Sequence, residues 1–266
     1  MRPPPPATGA TDASWEVQVA QAIAALLQRI DSLLPIMTSR PGGGLLARQL
    51  AAGGLVRCVR LIRAMLLLQT AYPDINGLLA RNLWETSTLA LYALLDDPAA
   101  HDPDATDDPT ALDYLAGDLA RNAKVLIERN DLGDLEELVA SSGVEPARIN
   151  LEDVARKLGP LLQKAGDPGA QVTDGYDLLY RSESTYGAIH GIRTMSPYAE
   201  LTTEPWQLQF EPGPLTVARA IVHPALGALY TTILAQHVAQ AFGIGTTQLD
   251  APFTNLTALL NNRDDE

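Results

Sequence analysis

The chain has 266 residues, of which 46% are hydrophobic and 19% are charged. This composition excludes a disordered chain and is sufficient for the core of one or two domains. The formal net charge of −13 argues against binding nucleic acid or an anionic membrane through bulk charge, although it leaves room for a small basic pocket. The single cysteine, Cys58, excludes an internal disulfide framework and a cysteine-based zinc site.

The two ends of the chain differ in composition from the middle. Residues 1–13 carry four consecutive prolines and no apolar segment, which predicts a disordered leader, not a secretory signal, and makes the cytoplasm the default location. Residues 263–266 are a polar tail, so 14–262 is predicted to be the single folded domain. The apolar stretches 55–72 and 220–235 do not fit membrane spans, because the first contains three arginines and the second is short and interrupted by a proline.

Two helices are predicted in the first quarter of the chain. Ser14–Leu34 is rich in alanine and leucine, and Pro35 lies near its expected end. Leu45–Tyr72 follows a glycine-rich loop, and Gly53-Gly54 is expected to kink or interrupt it. One side of this second helix is an apolar stripe (Leu55, Val59, Ile62, Leu66). The other side carries Arg57, Arg60 and Arg63 over an arc of about 120°.

The third predicted helix, Ile75–Leu95, is apolar on more than one side and therefore belongs in the middle of a bundle. Arg81 and Glu85 are its polar exceptions. The next segment, Asp96–Pro109, contains six aspartates and three prolines and is predicted to be a solvated loop. It lacks the glycine and the terminal glutamate of an EF-hand, so no calcium site is expected there.

The rest of the chain also shows mainly helical patterns. A helix is predicted over 111–129, followed by a small helical insertion over about 131–165 whose second half is capped by Asn150. A further helix is predicted at Gly175–Gly191, and a short strand or extended crossover near 195–214. The final elements are a long helix over Pro214–Phe242, bent by Pro224, and one or two turns over Thr254–Leu260. We therefore predict an all-α, up-down helical bundle in one domain.

A candidate site follows from the helix predicted at Gly175–Gly191. Its Tyr180, Glu183 and His190 share one stripe, with Ser184 at the edge, and Arg193 comes just after the helix. If this helix packs against the third helix, these side chains form a polar cluster with Arg81 and Glu85. In that cluster His190, in the last helical turn, would act as general acid or base. Arg81 or Arg193 would stabilise a developing negative charge.

Within this cluster, the catalytic candidates are His190, Arg81, Glu85, Ser184 and Tyr180, and the binding candidates are Glu183 and Arg193. The alternative interpretation is structural, because buried polar side chains in bundles often only satisfy one another. His223 is interpreted as a core histidine, and His237 would need carboxylates from elsewhere to bind a metal. The chain has no P-loop, GxGxxG, GxSxG, HExxH or Glu-x-x-His motif, so no metal or cofactor is expected.

The segment Arg81-Asn-Leu-Trp-Glu85, followed by Tyr180-x3-Ser184-x5-His190, resembles a widespread bacterial all-helical domain family of unknown function. The resemblance covers about residues 45–240 and implies an all-α fold but no activity. More distantly, the chain resembles the HEPN superfamily of helical bundles, many of which are metal-independent ribonucleases of toxin–antitoxin and phage-defence systems. Their hallmark is an arginine followed by a histidine at shorter spacing, whereas here eight residues separate Arg181 from His190.

Two functional hypotheses stay open at this point. The first is a cytoplasmic bacterial protein with a buried polar site, in its most specific form a HEPN-like metal-independent ribonuclease in which His190 moves a proton. The second is a non-catalytic interaction or regulatory module whose polar cluster fixes helix packing. The partner is unknown: a homodimer is one possibility, RNA is disfavoured by the net charge, and no membrane is expected.

Overall fold

The computed structural model describes residues 14–39, 46–69, 72, 75–96, 117, 150–167, 175, 199–200, 207–208 and 220–262. The described residues form six helices: α1 (Trp15–Ser39), α2 (Leu46–Leu68), α3 (Ile75–Leu95), α4 (Leu151–Lys164), α5 (Val222–Ala241) and α6 (Thr247–Asn261). Two short strands, β1 (Ala199–Glu200) and β2 (Gln207–Leu208), pair antiparallel, with Ala199 opposite Leu208. The all-α fold class is thereby confirmed. The strand pair also fits the extended crossover predicted near 195–214.

Helix α5 is the centre of the described bundle. It packs against α1, α2, α3 and α6. Its twenty residues include no charged side chain, and twelve of them are buried. A helix with so few polar side chains is stable only when other helices cover most of its surface. α3 is the second interior helix, because it contacts α2, α4 and α5, as its apolar composition predicted.

Helix α1 is longer than predicted, because it continues through Pro35 to Ser39. Proline removes one backbone hydrogen bond, but Leu33 and Met37 on either side of it remain in register with the buried stripe. Burial of Met37, which is 2% exposed, favours one more helical turn. Among the described helices, α1 alone has the length and composition to cross a membrane. Its buried stripe packs against α5 and α6.

The expected break at Gly53-Gly54 is wrong, because α2 runs through both glycines without interruption. A Cβ atom placed on Gly54 would lie 2.8 Å from Cβ of Ala90 on α3, whereas one on Gly53 would meet nothing within 4 Å. Gly54 therefore allows the backbones of α2 and α3 to approach closely. Helix α2 ends at Leu68, one turn before the predicted Tyr72, and α3 spans the predicted Ile75–Leu95.

The start of α5 depends on a buried amide. Ile221 is not helical, and α5 begins at the next residue, Val222. Pro224 therefore lies in the first turn of α5 and, contrary to the prediction, does not bend the middle of the helix. Because Pro224 has no N–H, the carbonyl of Ala220 lacks its usual helical donor. Nδ2 of Asn76, a fully buried side chain at the start of α3, donates to this carbonyl at 3.0 Å. The same nitrogen lies 3.2 Å from the carbonyl of Met65 on α2, so one side chain links three helices.

The ends of α4 follow from local sequence. Asn150 caps its start by accepting a hydrogen bond from the backbone N–H of Glu152 at 3.1 Å, as predicted. At the other end Gly166 has φ of +95°. The N–H groups of Gly166 and Asp167 donate to carbonyls of the last turn, which is a Schellman motif. The buried face of α4 packs against α3. Of the predicted insertion, residues 131–149 lie outside the described residues.

The last helix was predicted too short. α6 begins at Thr247, two turns before the predicted Thr254. Leu249 and Leu256 are seven residues apart, lie on one face of the helix and are fully buried. Nε1 of Trp15 donates to the carbonyl of Leu259 at 2.8 Å, which ties α6 to the start of α1. The predicted helix at 111–129 lies outside the described residues, except that Gly117 is helical and buried.

Candidate functional site

The two site residues predicted on α3 lie at the surface of the core. Arg81 and Glu85 are both half-buried, and each takes part in polar or electrostatic contacts. Spaced four apart, they share a face of α3. Tyr92 is seven residues beyond Glu85 on the same side, and there the ring centroid lies 6.0 Å from Nζ of Lys157 on α4. Arg81 and Glu85 therefore lie on the face of α3 that contacts α4 further along the helix, at Tyr92.

A close-packed junction joins Gly175 to α3 and α5. A Cβ atom on Gly175 would lie 2.5 Å from Nε1 of Trp84 on α3 and 2.8 Å from Cζ of Tyr230 on α5. No other residue type fits between the two aromatic side chains, which explains the glycine. Gly175 is the first residue of the helix predicted to carry His190, and Trp84 precedes Glu85 in sequence. The chain therefore lies against α3 at the residue that precedes Glu85 in sequence.

The structure does not place the rest of the predicted cluster. Tyr180, Glu183, Ser184, His190 and Arg193 lie outside the described residues. Whether they meet Arg81 and Glu85 therefore stays a prediction. Only the position of Gly175 bears on it, because Gly175 lies against α3 and α5.

Helix α5 carries a line of three polar residues that point the same way. His223, Tyr230 and His237 are spaced by seven, close to two full turns. His223 is half-buried and, like Tyr230, engaged in contacts. Asp167 lies against His237 near the end of α5, and Gly175 lies against Tyr230 in its middle.

The best-defined ionisable pair in the described structure joins α4 to α5. Nε2 of His237 lies 2.5 Å from Oδ2 of Asp167. The His237 side chain is 4% exposed and the Asp167 side chain 30%, so the pair is closed on the histidine side and open on the carboxylate side. Asp167 reaches this position because the left-handed Gly166 turns the chain directly after α4. Nothing local in the sequence indicates this contact, because the two residues are seventy apart along the chain.

This pair does not build a metal centre on its own. Among the residues that the structure describes, no group of three or more His, Cys, Asp or Glu side chains could hold a metal ion. Cys58 is fully buried, and burial raises the pKa of its thiol to about 12, although the neighbouring Thr231 and Arg57 act in the opposite direction. Its thiol is therefore a core group and not a nucleophile.

The outer face of α2 combines basic and apolar side chains. Val56, Arg60, Arg63 and Leu67 follow 4-3-4 spacing and form one stripe, which we call the α2 outer stripe. All four are exposed, Val56 by 41% and Leu67 by 80%. Helix α2 has no acidic residue. The sequence predicted the arginine arc but not the two apolar side chains that flank it.

Neighbouring helices fix the edges of this face. Nε of Arg57, beside the stripe, donates to the Thr86 hydroxyl of α3 at 3.2 Å. On the other edge Arg63 forms an exposed ion pair with Asp31 of α1. Arg60 lies between these two directions and points to solvent. In the described structure, Asp31 is the one carboxylate that contacts this surface, so the surface has a net positive charge.

The comparisons with known proteins add no relative to this picture. No family model, curated protein or solved structure matches the chain.

Proposed function

We propose that this protein is a non-catalytic interaction module: a helical bundle whose internal polar contacts hold helices in register and whose α2 outer stripe contacts another protein. The observation that carries the proposal is the stripe itself. Exposed Val56 and Leu67 flank two arginines on a helix without acids, in a protein of net charge −13. Arginine is enriched where proteins bind one another, and exposed apolar side chains gain free energy when a partner buries them.

The position of the polar pair on α3 supports the structural half of this proposal. Arg81 and Glu85 are half-buried, engaged in contacts and adjacent to the close-packed Trp84. When a partly buried charged side chain has polar partners, replacing it leaves those partners without their contact, and this lowers the free energy of unfolding. We therefore expect replacement of Arg81 or Glu85 to change the stability of the fold and not a catalytic activity.

A ribonuclease assay paired with unfolding measurements tests this proposal. We expect no metal-independent cleavage of total or transfer RNA by the wild type. Arg81→Ala is expected to lower the free energy of unfolding by about 1–3 kcal/mol. Arg60→Ala is the matched control, because Arg60 is exposed and its loss should change stability by less than about 0.5 kcal/mol. Metal-free cleavage that disappears in a fully folded His190→Ala variant would refute the proposal.

A HEPN-like metal-independent ribonuclease is the second candidate function. One observation favours it: Gly175, which begins the helix predicted to carry Tyr180, Ser184 and His190, lies against Trp84 on α3, the helix that carries Arg81 and Glu85. A helix that starts there could bring a histidine and an arginine to one site, as the distant resemblance implies. The ribonuclease assay described above also tests this candidate: metal-free RNA cleavage that is lost in a folded His190→Ala variant would support it, and no cleavage by the wild type would exclude it.

A further inference from the structure

We infer that the α2 outer stripe binds an acidic amphipathic helix of a partner protein. The inference rests on the proposed function and adds the chemistry of the partner. The stripe is defined by Val56, Arg60, Arg63 and Leu67, exposed side chains on consecutive turns of one helix. Val56 and Leu67 are eleven residues apart, which is about 16 Å along the axis. This length matches three turns of a helix lying alongside α2.

The order of side chains along the stripe determines what fits it. Apolar groups lie at both ends and guanidinium groups lie between them. A complementary helix therefore has apolar residues eleven apart and carboxylates one and two turns in from the first of them.

Other occupants fit this surface less well. A second copy packed on the same stripe would oppose arginine with arginine. RNA binding relies on stacking aromatic side chains, and the stripe has none, while the net charge of −13 repels a polyanion. A membrane would draw Arg60 and Arg63 into the acyl boundary together with Val56 and Leu67, because all four share one stripe. A protein helix can meet both kinds of group at once.

The test uses a fluorescently labelled 18-residue peptide with leucines eleven apart and glutamates between them, and anisotropy as the readout. We expect saturable binding that weakens between about 0.05 and about 0.5 M salt. Arg60→Glu is expected to weaken binding at least about tenfold, because it places like charges together. Leu67→Ser is expected to weaken it about fivefold, through lost apolar contact.

Matched controls lie on α1, away from the stripe. Arg29 is exposed and Ile36 is 42% exposed, so Arg29→Glu and Ile36→Ser make the same chemical changes elsewhere. These controls should stay within about twofold of the wild type, since they touch no part of the stripe. All four substitutions are at exposed positions, and unchanged melting temperatures verify that each variant is folded.

Several results would overturn the inference. They include no peptide binding at about millimolar concentration, equal binding by a scrambled peptide, and equal losses in the α1 controls. Stronger Arg60-dependent binding to polyuridine RNA or to vesicles with anionic lipid would assign the stripe to those ligands. Peptide binding that appears only after asparagine replaces the aspartates of 96–108 would make this chain's own acidic segment the occupant. The RNA cleavage assay tests the proposed function independently of the peptide. If neither RNA cleavage nor peptide binding is observed, the proposal of an interaction module stands and only the proposed acidic helical partner is refuted.

Discussion

Replacing Gly54 with alanine tests the closest approach between α2 and α3. The new Cβ atom would lie 2.8 Å from Cβ of Ala90, whereas two carbon atoms in contact prefer about 3.5–4.0 Å. Both atoms are fixed to helical backbones, so relief requires the helices to separate. Overpacking of this kind costs about 1–3 kcal/mol, and alanine returns about 1 kcal/mol of helix propensity. We therefore expect Gly54→Ala to lower the free energy of unfolding by about 0–2 kcal/mol.

Gly53→Ala is the matched control, one residue away on the same helix. Gly53 is exposed, and a Cβ atom there meets nothing within 4 Å, so this variant should be about 1 kcal/mol more stable than the wild type. The propensity gain is common to both variants, so their difference of about 1–3 kcal/mol measures the clash alone. Urea unfolding followed by tryptophan fluorescence, to which the buried Trp84 contributes, provides the measurement. Equal stabilisation by both substitutions would refute the close approach. In an Ala90→Gly background the difference should largely disappear.

Three further predictions concern stability. Burial raises the pKa of the Cys58 thiol from 9.0 to about 12, so between these values the unfolded chain loses a proton that the folded chain keeps. The free energy of unfolding should therefore fall as pH rises above 9, and urea midpoints should fall less steeply in Cys58→Ala. Asp167→Ala should cost about 1–3 kcal/mol by leaving buried His237 without its carboxylate, and Asp167→Asn should restore part of this in the same urea series. Asn76→Ala should cost about 2–3 kcal/mol, read from calorimetric melts, because it leaves a buried carbonyl without a donor; an unchanged melt would contradict the three-helix link.

The sequence predicted those parts of the fold that depend on local periodicity. Both ends of α3 follow from its apolar pattern, and the predicted cap at Asn150 is confirmed. Proline and glycine rules failed where tertiary packing opposed them. Pro35 did not end α1, because Met37, two residues beyond it, is buried. Gly54 did not break α2, because it is a contact point with α3.

The candidate site could be predicted only in part. The polar exceptions Arg81 and Glu85 were visible as charges on an apolar helix, and the arginine arc of α2 was visible from its spacing. The contact between Asp167 and His237 was not, because it joins residues seventy apart through a turn. Asn76 was missed for the same reason, since its partner Ala220 is distant in sequence. Long-range contacts of single polar groups leave no periodic signal.

The arginine side chains of the α2 outer stripe offer the most direct test of the account. Two-dimensional NMR of arginine Nε–Hε groups, during titration with the acidic peptide, reports each guanidinium separately. We predict saturable chemical-shift changes for the Nε–Hε groups of Arg60, Arg63 and the neighbouring Arg57. The resonances of Arg29 and Arg81 should not change. Shifts centred on Arg81, or none at saturating peptide, would contradict the claim that the α2 outer stripe is the working surface of this protein.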